Sequence, residues 1–316
     1  MFPGQGSQQL GMGQDFVQQF DSAARIFDMA NDILGYDLKA ICADGPEETL
    51  NKTEISQPAI FVTSVAILEV ICNGEMASHL VEVSPYGYAG LSLGEYTALY
   101  ASGAIDFESA LKLVQIRGES MQAAADLREG TMVSILGLEE EKVEALCQAV
   151  LDEKLAEDDG QVTILKAVNF NCPGQIVLSG SIKACQRAQE LASEFGASRA
   201  IALTVAGAFH TAMMEPAAQR LSVALNEIVM DDFIVPVIAN VDAQNYGSPA
   251  DIPGKLMAQL TNPVRWQQSI EALLDQGVER FVEIGAGRVL TGLVKKISRA
   301  KKIKPTIETI GTVSKS

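Results

Sequence analysis

The sequence predicts an α/β protein whose core is built on a parallel sheet, with a smaller α+β unit inserted into that core. Three observations carry this prediction. A G-x-S-x-G pattern at residues 90–94 lies between a short, partly apolar segment and a run of good helix formers. Apolar segments at residues 235–241 and 279–284 look like buried strands of a parallel sheet, with helices between and after them. From about residue 130 the pattern changes to one typical of a separate α+β unit.

The G-x-S-x-G pattern places Ser92 between a predicted strand and a predicted helix. Strand, turn and helix in this order are typical of a nucleophile elbow, which carries the serine of an α/β-hydrolase-like core. Gly90 and Gly94 would let strand and helix approach closely, while Ser92 sits on a strained turn. The backbone N–H of Leu93 could then face a developing oxyanion at the helix N-terminus. The alternative is an ordinary glycine-rich turn, because this pattern also occurs by chance.

The second unit is predicted from the order of its elements. Strands are expected at residues 131–136, 162–168, 176–179 and 200–205, and helices at residues 139–150 and 182–195. A turn at residues 169–175 joins the two middle strands into a hairpin. The resulting β-α-β-β-α-β order is the signature of a ferredoxin-like subdomain. We therefore expect a catalytic core of residues 1–127 and 201–316 around an inserted subdomain of residues 128–200, with a surface loop at residues 152–160.

Three further helices are predicted in the N-terminal part of the core, besides the one that follows Ser92. One spans apolar positions from Ala23 to Leu34 and stops at Gly35. Another opens at Gln57 with Pro58 in its first turn. A third carries Arg117 on a face that is otherwise apolar. Such an arginine is usually a structural residue that is ion-paired or extends its head to water, and a ligand contact is the alternative.

Composition excludes several classes of protein. The chain has 316 residues, of which 47% are hydrophobic, so it can bury a large core. A formal net charge of −16 argues against nucleic acid as the main partner. No run of eighteen apolar residues and no opening signal pattern is found, so we expect no membrane span. Five isolated cysteines indicate free thiols in a reducing compartment, and two histidines exclude a histidine-rich metal site.

The chain opens on a glycine-rich turn, with Gly4 and Gly6 on either side of Gln5. Such a turn would normally follow a strand, and that strand is nearly absent here. The two glycines would let backbone amides line a site closely, as in oxyanion loops. An ordinary flexible turn is the alternative.

A serine nucleophile needs a base, and His210 is the only histidine after Ser92, in the chain order that an elbow expects. His79 lies upstream of the elbow strand and is the poorer candidate. No acid that would orient His210 stands out from its surroundings. The acids considered after Ser92 are Asp231, Asp232 and Asp242.

The C-terminal part carries a basic segment, residues 295–304, that contains no acid. Its cations are Lys295, Lys296, Arg299, Lys301, Lys302 and Lys304. They are compatible with a solvated helix whose cations suit the C-terminal end of the helix dipole. A docking surface for an acidic partner is the alternative.

Six motifs occur along the chain in an order that resembles one known family. They are residues 2–8 (Phe-Pro-Gly-Gln-Gly-Ser-Gln), 90–96 (Gly-Leu-Ser-Leu-Gly-Glu-Tyr), 117–121 (Arg-Gly-x-x-Met), 169–175 (Asn-Phe-Asn-x-Pro-Gly-Gln), 207–210 (Gly-Ala-Phe-His) and 262–266 (Asn-Pro-Val-Arg-Trp). Each motif is weak alone, but six in register are specific. Together they resemble the malonyl-CoA:acyl-carrier-protein transacylases of type II fatty-acid synthesis, over essentially the whole chain.

The resemblance implies a catalytic role for several residues. Ser92 would attack the thioester and become malonylated, and His210 would take the serine proton. A main-chain carbonyl, here that of Gln259, would orient the histidine in place of an acid. The backbone N–H groups of Gln5 and Leu93 would form the oxyanion hole.

The resemblance also implies how substrate is bound. Arg117 would hold the free carboxylate of malonate by a bidentate pair. Met121, Phe209 and Asn169 would complete the substrate site, and the bulk of Phe209 should disfavour an α-methyl branch. We expect ping-pong transfer from malonyl-CoA to the phosphopantetheine thiol of acyl carrier protein, with no metal or redox cofactor and a monomeric enzyme.

Family members differ at position 91, where leucine stands in this chain. Many bacterial relatives have histidine there, whereas plastid and cyanobacterial members tend to have leucine. The resemblance is therefore to a plastid or cyanobacterial-like variant, located in the plastid stroma or the bacterial cytoplasm. The basic segment would face the acidic carrier. Three alternatives remain, namely an acyltransferase that serves a polyketide carrier, a thioesterase and a relative that has lost its chemistry.

Overall fold

The structure is a computed structural model that describes residues 1–76, 84–155 and 160–313. Its helices are α1 (Gln14–Gln19), α2 (Asp21–Leu34), α3 (Leu38–Asp44), α4 (Glu47–Leu50), α5 (Thr53–Cys72), α6 (Gly94–Ala101), α7 (Phe107–Leu127), α8 (Glu140–Asp152), α9 (Ile182–Leu191), α10 (Glu215–Leu225), α11 (Asp251–Thr261), α12 (Trp266–Asp275) and α13 (Val289–Ala300). Its strands are β1 (Tyr88–Ala89), β2 (Thr131–Leu136), β3 (Leu165–Cys172), β4 (Gln175–Gly180), β5 (Arg199–Ala202), β6 (Val237–Ile238), β7 (Arg280–Ile284) and β8 (Thr306–Ile310). The fold is thus mixed α/β, as predicted.

The parallel part of the sheet consists of two pieces joined by the first two residues of the chain. Strand β1 pairs with β6, and β7 pairs with β8, both in parallel. The Phe2 N–H donates to the Ala89 carbonyl at 3.0 Å on one side. On the other side the terminal amine of Met1 donates to the Val282 carbonyl at 2.7 Å, and the Ile284 N–H donates to the Met1 carbonyl at 2.9 Å. The short opening segment therefore lies between β1 and β7 and connects the two pairs.

Helix α5 forms the centre of the apolar core and packs against α2 and α7. By length and composition it could cross a membrane, but 83% of its most apolar window is buried inside the protein, so it is a core helix. It begins at Thr53, which places Pro58 inside the helix, so the predicted start at Gln57 is wrong. Tertiary packing explains the early start, because a Cβ on Gly118 would lie 3.0 Å from Glu54 Cα. Helix α7 approaches this first turn closely.

Residues 131–202 contain one four-stranded sheet in the order β3-β4-β2-β5, in which all neighbouring strands are antiparallel. Helices α8 and α9 connect its strands and share a separate apolar cluster with them. The turn between β3 and β4 contains only Pro173 and Gly174, so the predicted turn at residues 169–175 is too long. Strand β3 extends to Cys172 because the Phe170 N–H also donates to the Val264 carbonyl, at 3.0 Å.

Other element boundaries also differ from prediction. Helix α9 and strand β5 are shorter than predicted, and β8 is not among the predicted strands. Strand β6 covers only two residues of the predicted 235–241, since the chain then leaves the sheet. Helix α8 extends to Asp152, and residues 156–159 of the predicted surface loop lie outside the described residues. All five cysteines lie among the described residues and form no disulfide there; four are buried and Cys72 is exposed.

Candidate active site

Ser92 lies on the strained turn between β1 and α6, where its φ of 52° falls in the left-handed region. The flanking glycines are required by contact distances. A Cβ on Gly90 would lie 1.9 Å from the carbonyl carbon of Gly94, and a Cβ on Gly94 would lie 2.1 Å from the Phe2 carbonyl oxygen. Strand, helix and opening segment therefore pack backbone against backbone around the serine.

His210 and the carbonyl of Gln259 continue from Ser92 in one hydrogen-bonded chain. The Ser92 Oγ lies 2.9 Å from His210 Nε2, and His210 Nδ1 lies 2.7 Å from the Gln259 carbonyl oxygen. A carbonyl only accepts, so Nδ1 must carry the proton that it donates. In the neutral ring Nε2 then has the free lone pair and accepts the serine O–H. The imidazole is thus prepared to act as a general base toward Ser92.

The environment keeps His210 neutral. Its side chain is buried, and burial lowers its pKa to about 4, with the charge of Arg117 acting in the same direction and the hydrogen bond to the Gln259 carbonyl opposing it. The backbone of His210 is also strained, with a φ of 63°. A neutral base held in a fixed orientation is what deprotonation of a serine requires.

Arg117 is the buried cation of the site, with 1% of its surface exposed. Its Nη2 donates to Ser92 Oγ at 2.9 Å and to Gln259 Oε1 at 3.0 Å, and Nη1 donates to Gln57 Oε1 at 2.7 Å. The guanidinium carbon lies 5.4 Å from the centre of the Tyr96 ring. These contacts are all to uncharged groups, and Nε has no hydrogen-bond partner among the described residues. A carboxylate of a ligand would match this arrangement.

Asn240 holds the backbone of the nucleophile turn and is a site residue that the sequence analysis missed. Its Oδ1 accepts from the Ser92 N–H at 2.6 Å, and its Nδ2 donates to the Gly90 carbonyl at 2.7 Å. Its position near the end of the predicted strand at residues 235–241 was the available signal, because parallel strands end at the same edge of a sheet.

Glu95 and Gln57 were also missed. Glu95 is fully buried on α6, and accepts from the Tyr246 hydroxyl at 2.5 Å, from Gln259 Nε2 at 2.6 Å and from the Asn240 N–H at 3.2 Å. Burial raises its pKa to about 7, and these hydrogen bonds oppose the shift. The available signal was a polar residue inside an apolar helix, for Glu95 in α6 and for Gln57 in α5.

The opening loop lies against the nucleophile turn. A Cβ on Gly4 would lie 2.2 Å from the Leu91 carbonyl oxygen, so this loop is in direct backbone contact with the turn. Gln5 extends its side chain toward Thr53, with 3.5 Å between Nε2 and Oγ1. Within the described part of the chain, the backbone N–H groups of Gln5 and Leu93 donate to no protein acceptor. Both therefore have a free donor.

The remaining predicted substrate residues lie at different distances from this network. Met121 is buried, and its Sδ lies 3.5 Å from Gln57 Nε2, so it contacts a partner of Arg117. Phe209 is buried directly beside His210 in the chain. Asn169 lies half-buried on β3, and no hydrogen bond joins it to the catalytic chain among the described residues.

The acids considered as partners for His210 are placed elsewhere. Asp242 pairs with Lys255 at 2.9 Å, and Asp231 and Asp232 are exposed. His79 lies outside the described residues. No cluster of three or more potential metal-ligating side chains occurs in the part of the chain that the structure describes.

The basic segment continues from α13 into the following turn. Lys295, Arg299 and Lys302 are exposed, whereas Lys301 pairs with Asp275 at 2.8 Å. Lys296 donates to Gln175 Oε1 at 2.9 Å, which joins α13 to the hairpin of the inserted unit. The segment is therefore a largely solvent-facing group of cations on α13 and the turn that follows it.

A serine on a strained turn, a neutral histidine base and a buried guanidinium define an acyl-transferring enzyme. The whole chain, residues 1–316, matches the acyl transferase domain family, so the chain is an acyltransferase. It is 43% identical over 302 residues to the malonyl CoA-acyl carrier protein transacylase of Bacillus subtilis, covering 96% of this chain and 90% of that relative. The chain belongs to the family of malonyl CoA-acyl carrier protein transacylases.

Solved structures agree with this assignment. An acyl carrier protein S-malonyltransferase from Vibrio cholerae has a TM-score of 0.89 and 40% identity, covering 99% of this chain and 96% of that one. A malonyl-transacylase solved in complex with a type II polyketide acyl carrier protein has a TM-score of 0.88 and 41% identity, covering 99% and 95%. The observed mixed α/β fold with its parallel sheet pieces matches such structures.

Proposed function

We propose that this chain transfers the malonyl group from malonyl-CoA to the phosphopantetheine thiol of an acyl carrier protein, in a ping-pong reaction through malonyl-Ser92. The observation that carries the proposal is the position of Arg117. Its Nη2 lies 2.9 Å from Ser92 Oγ, so a buried cation stands beside the nucleophile. A substrate with a free carboxylate close to its thioester would match this pair.

In the first half-reaction Ser92 Oγ attacks the thioester carbonyl while His210 Nε2 takes the hydroxyl proton. The resulting oxyanion would be held by the free N–H groups of Gln5 and Leu93. Collapse of the tetrahedral intermediate breaks the C–S bond, and His210 returns the proton to the leaving thiolate of coenzyme A. The products are the malonyl ester of Ser92 and free coenzyme A.

In the second half-reaction the thiol of the carrier attacks the malonyl ester. His210 Nε2 takes the thiol proton, and the Gln259 carbonyl supports the imidazolium through Nδ1. Collapse of the second intermediate breaks the C–O bond, and the proton passes to Ser92 Oγ. The serine is regenerated, so neither half-reaction needs a metal or redox cofactor.

Arg117 supports malonyl selectivity. Its direct partners are uncharged, so the guanidinium keeps its charge free for a ligand. A malonyl carboxylate would gain a charge-assisted pair in a buried site, and an acetyl group would leave the cation without one. Met121, Phe209 and Asn169 would line the same site. The buried ring of Phe209 beside His210 supports exclusion of an α-methyl branch.

The partner would dock on the basic segment defined above, residues 295–304. Acyl carrier proteins are acidic, and this chain carries a net charge of −16, so a local group of cations is needed for attraction. Exposed Lys295, Arg299 and Lys302 supply one, and Lys296 contributes beside Gln175. A similar malonyl-transacylase was solved in complex with a polyketide carrier. The partner of this chain is therefore a carrier of fatty-acid synthesis or, as the alternative, one of polyketide synthesis. A panel of carriers would separate the two.

We also assign the two parts of the fold. Residues 1–127 and 201–316 are assigned to an α/β-hydrolase-like core, supported by the serine turn between β1 and α6. Residues 128–200 are assigned to a ferredoxin-like subdomain, supported by the order β3-β4-β2-β5 and by its separate apolar cluster. The relative from Bacillus subtilis favours the bacterial cytoplasm over the plastid stroma as the compartment.

Intact-mass measurement after brief mixing with malonyl-CoA tests this proposal. We expect wild-type enzyme to gain one malonyl group and Ser92→Ala to gain none, because the serine hydroxyl is the acceptor. A matched control is Ser102→Ala, whose hydroxyl is buried at the end of the same helix and donates to the Leu99 carbonyl. Free malonate without an adduct would indicate a hydrolase, and an adduct on Ser92→Ala would contradict the assigned nucleophile.

A further inference from the structure

The carboxylate of Glu95 lies behind the catalytic residues, and no step of the reaction above uses it. It stands on α6 three residues after Ser92 and is fully buried. Three donors converge on it, namely the Tyr246 hydroxyl, the side-chain amide of Gln259 and the backbone N–H of Asn240. Burying a carboxylate is costly unless its oxygens are hydrogen-bonded, so this arrangement needs an explanation.

Two charges of opposite sign determine the orientation of the Gln259 amide. An ionised carboxylate only accepts hydrogen bonds, so Glu95 requires the NH₂ end, and its Oε2 lies 2.6 Å from Gln259 Nε2. A guanidinium only donates, so Arg117 requires the oxygen end, 3.0 Å from its Nη2. The flipped amide would place donor against donor and acceptor against acceptor.

This orientation matters because Gln259 contacts the reacting groups at three points. Its Nε2 also donates to the Ser92 carbonyl at 2.8 Å, its Oε1 accepts from Arg117, and its backbone carbonyl accepts from His210. Asn240, the second partner of Glu95, accepts from the Ser92 N–H. Glu95 is therefore linked to the nucleophile, the base and the cation through a single intervening residue in each case.

Charged and titratable groups surround this carboxylate on several elements. Arg117 faces it from α7 across Gln259, and Tyr96 neighbours it on α6. Tyr246 approaches from the segment after β6. On α11, Lys255 Nζ lies 5.1 Å from the centre of the Tyr246 ring and pairs with Asp242. His210, which is held neutral, bonds to the backbone of Gln259. Among these groups Arg117 is the buried cation that Glu95 balances.

We propose that Glu95 is a positioning residue for the acylation of Ser92, which it serves by fixing Gln259 and Asn240 while its carboxylate is ionised. This inference rests on the proposed function, because its effect is read in the formation of malonyl-Ser92. Glu95 touches neither substrate nor reacting atoms and acts through its two amide partners. Its charge also balances Arg117 while the site holds no malonyl carboxylate.

Protonation of Glu95 should therefore slow acylation. Burial raises its pKa to about 7, so the carboxyl takes up a proton as the pH falls through neutrality. A protonated carboxyl has lost its negative charge, so its Oε2 accepts more weakly from the Gln259 amide and the Asn240 N–H. The rate of acylation should thus fall as the pH decreases through about 7. This decrease is separate from the loss of activity expected when His210 is protonated, since the pKa of His210 is about 4.

Glu95→Gln tests the proposal in single-turnover acylation by malonyl-CoA. With a neutral amide at position 95, Arg117 alone would constrain the Gln259 amide, so the rate constant at saturating malonyl-CoA should fall by about tenfold to a hundredfold. The KM should change less, because Arg117 remains. The inflection of the wild-type pH profile near 7 should be absent.

The matched control is Glu283→Gln. Glu283 is also fully buried and also accepts three hydrogen bonds, from the Leu290 and Thr291 N–H groups and the Thr291 hydroxyl. It lies apart from the catalytic network, so this variant should lose thermal stability but keep the wild-type acylation rate and pH profile. Equal rates and profiles for both variants would overturn the proposal, since Glu95 would then be only structural.

Tyr246→Phe keeps the test decisive if Glu95→Gln does not fold. It removes one donor from the ionised carboxylate, so the pKa of Glu95 should rise and the inflection should move to higher pH. An unmoved inflection, or a wild-type profile that is flat through neutrality, would overturn the proposal. Absence of any malonyl adduct on wild-type enzyme would instead contradict the proposed function itself, and the inference with it.

Discussion

At the scale of the residue, Arg117 shows how a site can remain charged and yet be buried. Its hydrogen bonds are to Ser92, Gln57 and Gln259, each through an uncharged oxygen. Burial lowers its pKa from the ordinary value, but a guanidinium stays protonated at neutral pH. The side chain therefore offers, next to the nucleophile, a positive charge whose described hydrogen-bond partners include no carboxylate, and this favours substrates with a carboxylate.

Replacement of this side chain should remove selectivity. For Arg117→Ala we expect kcat/KM for malonyl-CoA to fall on the order of a hundredfold or more, because the carboxylate would be buried without a partner. This corresponds to a loss of about 3 kcal/mol in transition-state stabilisation. The value for acetyl-CoA should fall much less, so the ratio of the two rates of Ser92 acylation is the measurement. Arg220→Ala is the control, since Arg220 is an exposed arginine that pairs with Glu119 at 3.2 Å. An unchanged malonyl-to-acetyl ratio would contradict the role of Arg117.

Sequence patterns could predict only some of these residues. Ser92 follows from a local pattern, His210 from the small number of histidines, and Arg117 from its interruption of an apolar face. A main-chain carbonyl is present in every residue, so the role of the Gln259 carbonyl could be predicted only from the family resemblance. Asn240 and Glu95 were missed because their importance depends on contacts between distant elements, such as the 2.6 Å hydrogen bond that joins residues 92 and 240.

At the scale of the element, the turn between β1 and α6 depends on backbone contacts that no side chain can occupy. Gly90, Gly94 and Gly4 each face another backbone at a distance where a Cβ would overlap it. The first two belong to the elbow pattern, and the third belongs to the opening loop. The position of Ser92 is thus set by three segments, namely β1, α6 and the opening loop, whose backbones are in direct contact.

Gly90→Ala should therefore disrupt the turn. Its Cβ would lie 1.9 Å from the backbone of Gly94, so α6 must shift, and we expect a loss of about 1–3 kcal/mol in the free energy of unfolding together with loss of the malonyl adduct. Thermal unfolding and intact mass measure the two effects. Gly292→Ala is the control, because Gly292 lies in helix α13 with no atom within 4 Å of its Cβ position. This control should be neutral or stabilising. An active and stable Gly90→Ala would contradict the packing argument.

Elements with a local stop signal were predicted well, and elements fixed by tertiary contacts were not. Helix α2 ends at Gly35, which adopts the left-handed conformation, as predicted from the sequence. Helix α5 begins at Thr53, four residues before Gln57, because packing at Gly118 favours an earlier start over the local preference of Pro58. The hairpin turn was predicted too long because the contact of Phe170 with Val264 is not visible in local sequence.

At the scale of the whole molecule, the mixed α/β class and its parallel pieces were predicted from apolar periodicity. The way in which the pieces join was not, because the opening residues Met1 and Phe2 connect β1 to β7 through contacts between distant parts of the sequence. Surface charge was partly predicted. The basic segment was visible in the sequence, but the pairing of Lys301 with Asp275 was not. Lys301 is therefore a poorer choice for a docking test than its exposed neighbours.

Charge reversal tests docking on the basic segment. Lys295→Glu combined with Lys302→Glu should raise the KM for the carrier and flatten its salt dependence, because the attraction to an acidic partner is lost. Acylation of Ser92 by malonyl-CoA should be much less affected. The control reverses Lys112 and Lys142, two exposed lysines on other helices. Equal carrier KM values for both double variants would place docking on a different surface.

Transfer from an isolated acyl-enzyme tests the central claim most directly. Wild-type enzyme is malonylated, freed of coenzyme A and mixed with a carrier protein that bears its phosphopantetheine thiol, and both proteins are weighed by intact mass. We predict that the enzyme loses its malonyl group while the carrier gains one. Loss of the malonyl group to water without gain by the carrier, or transfer that occurs only when coenzyme A is present, would contradict ping-pong transfer through Ser92.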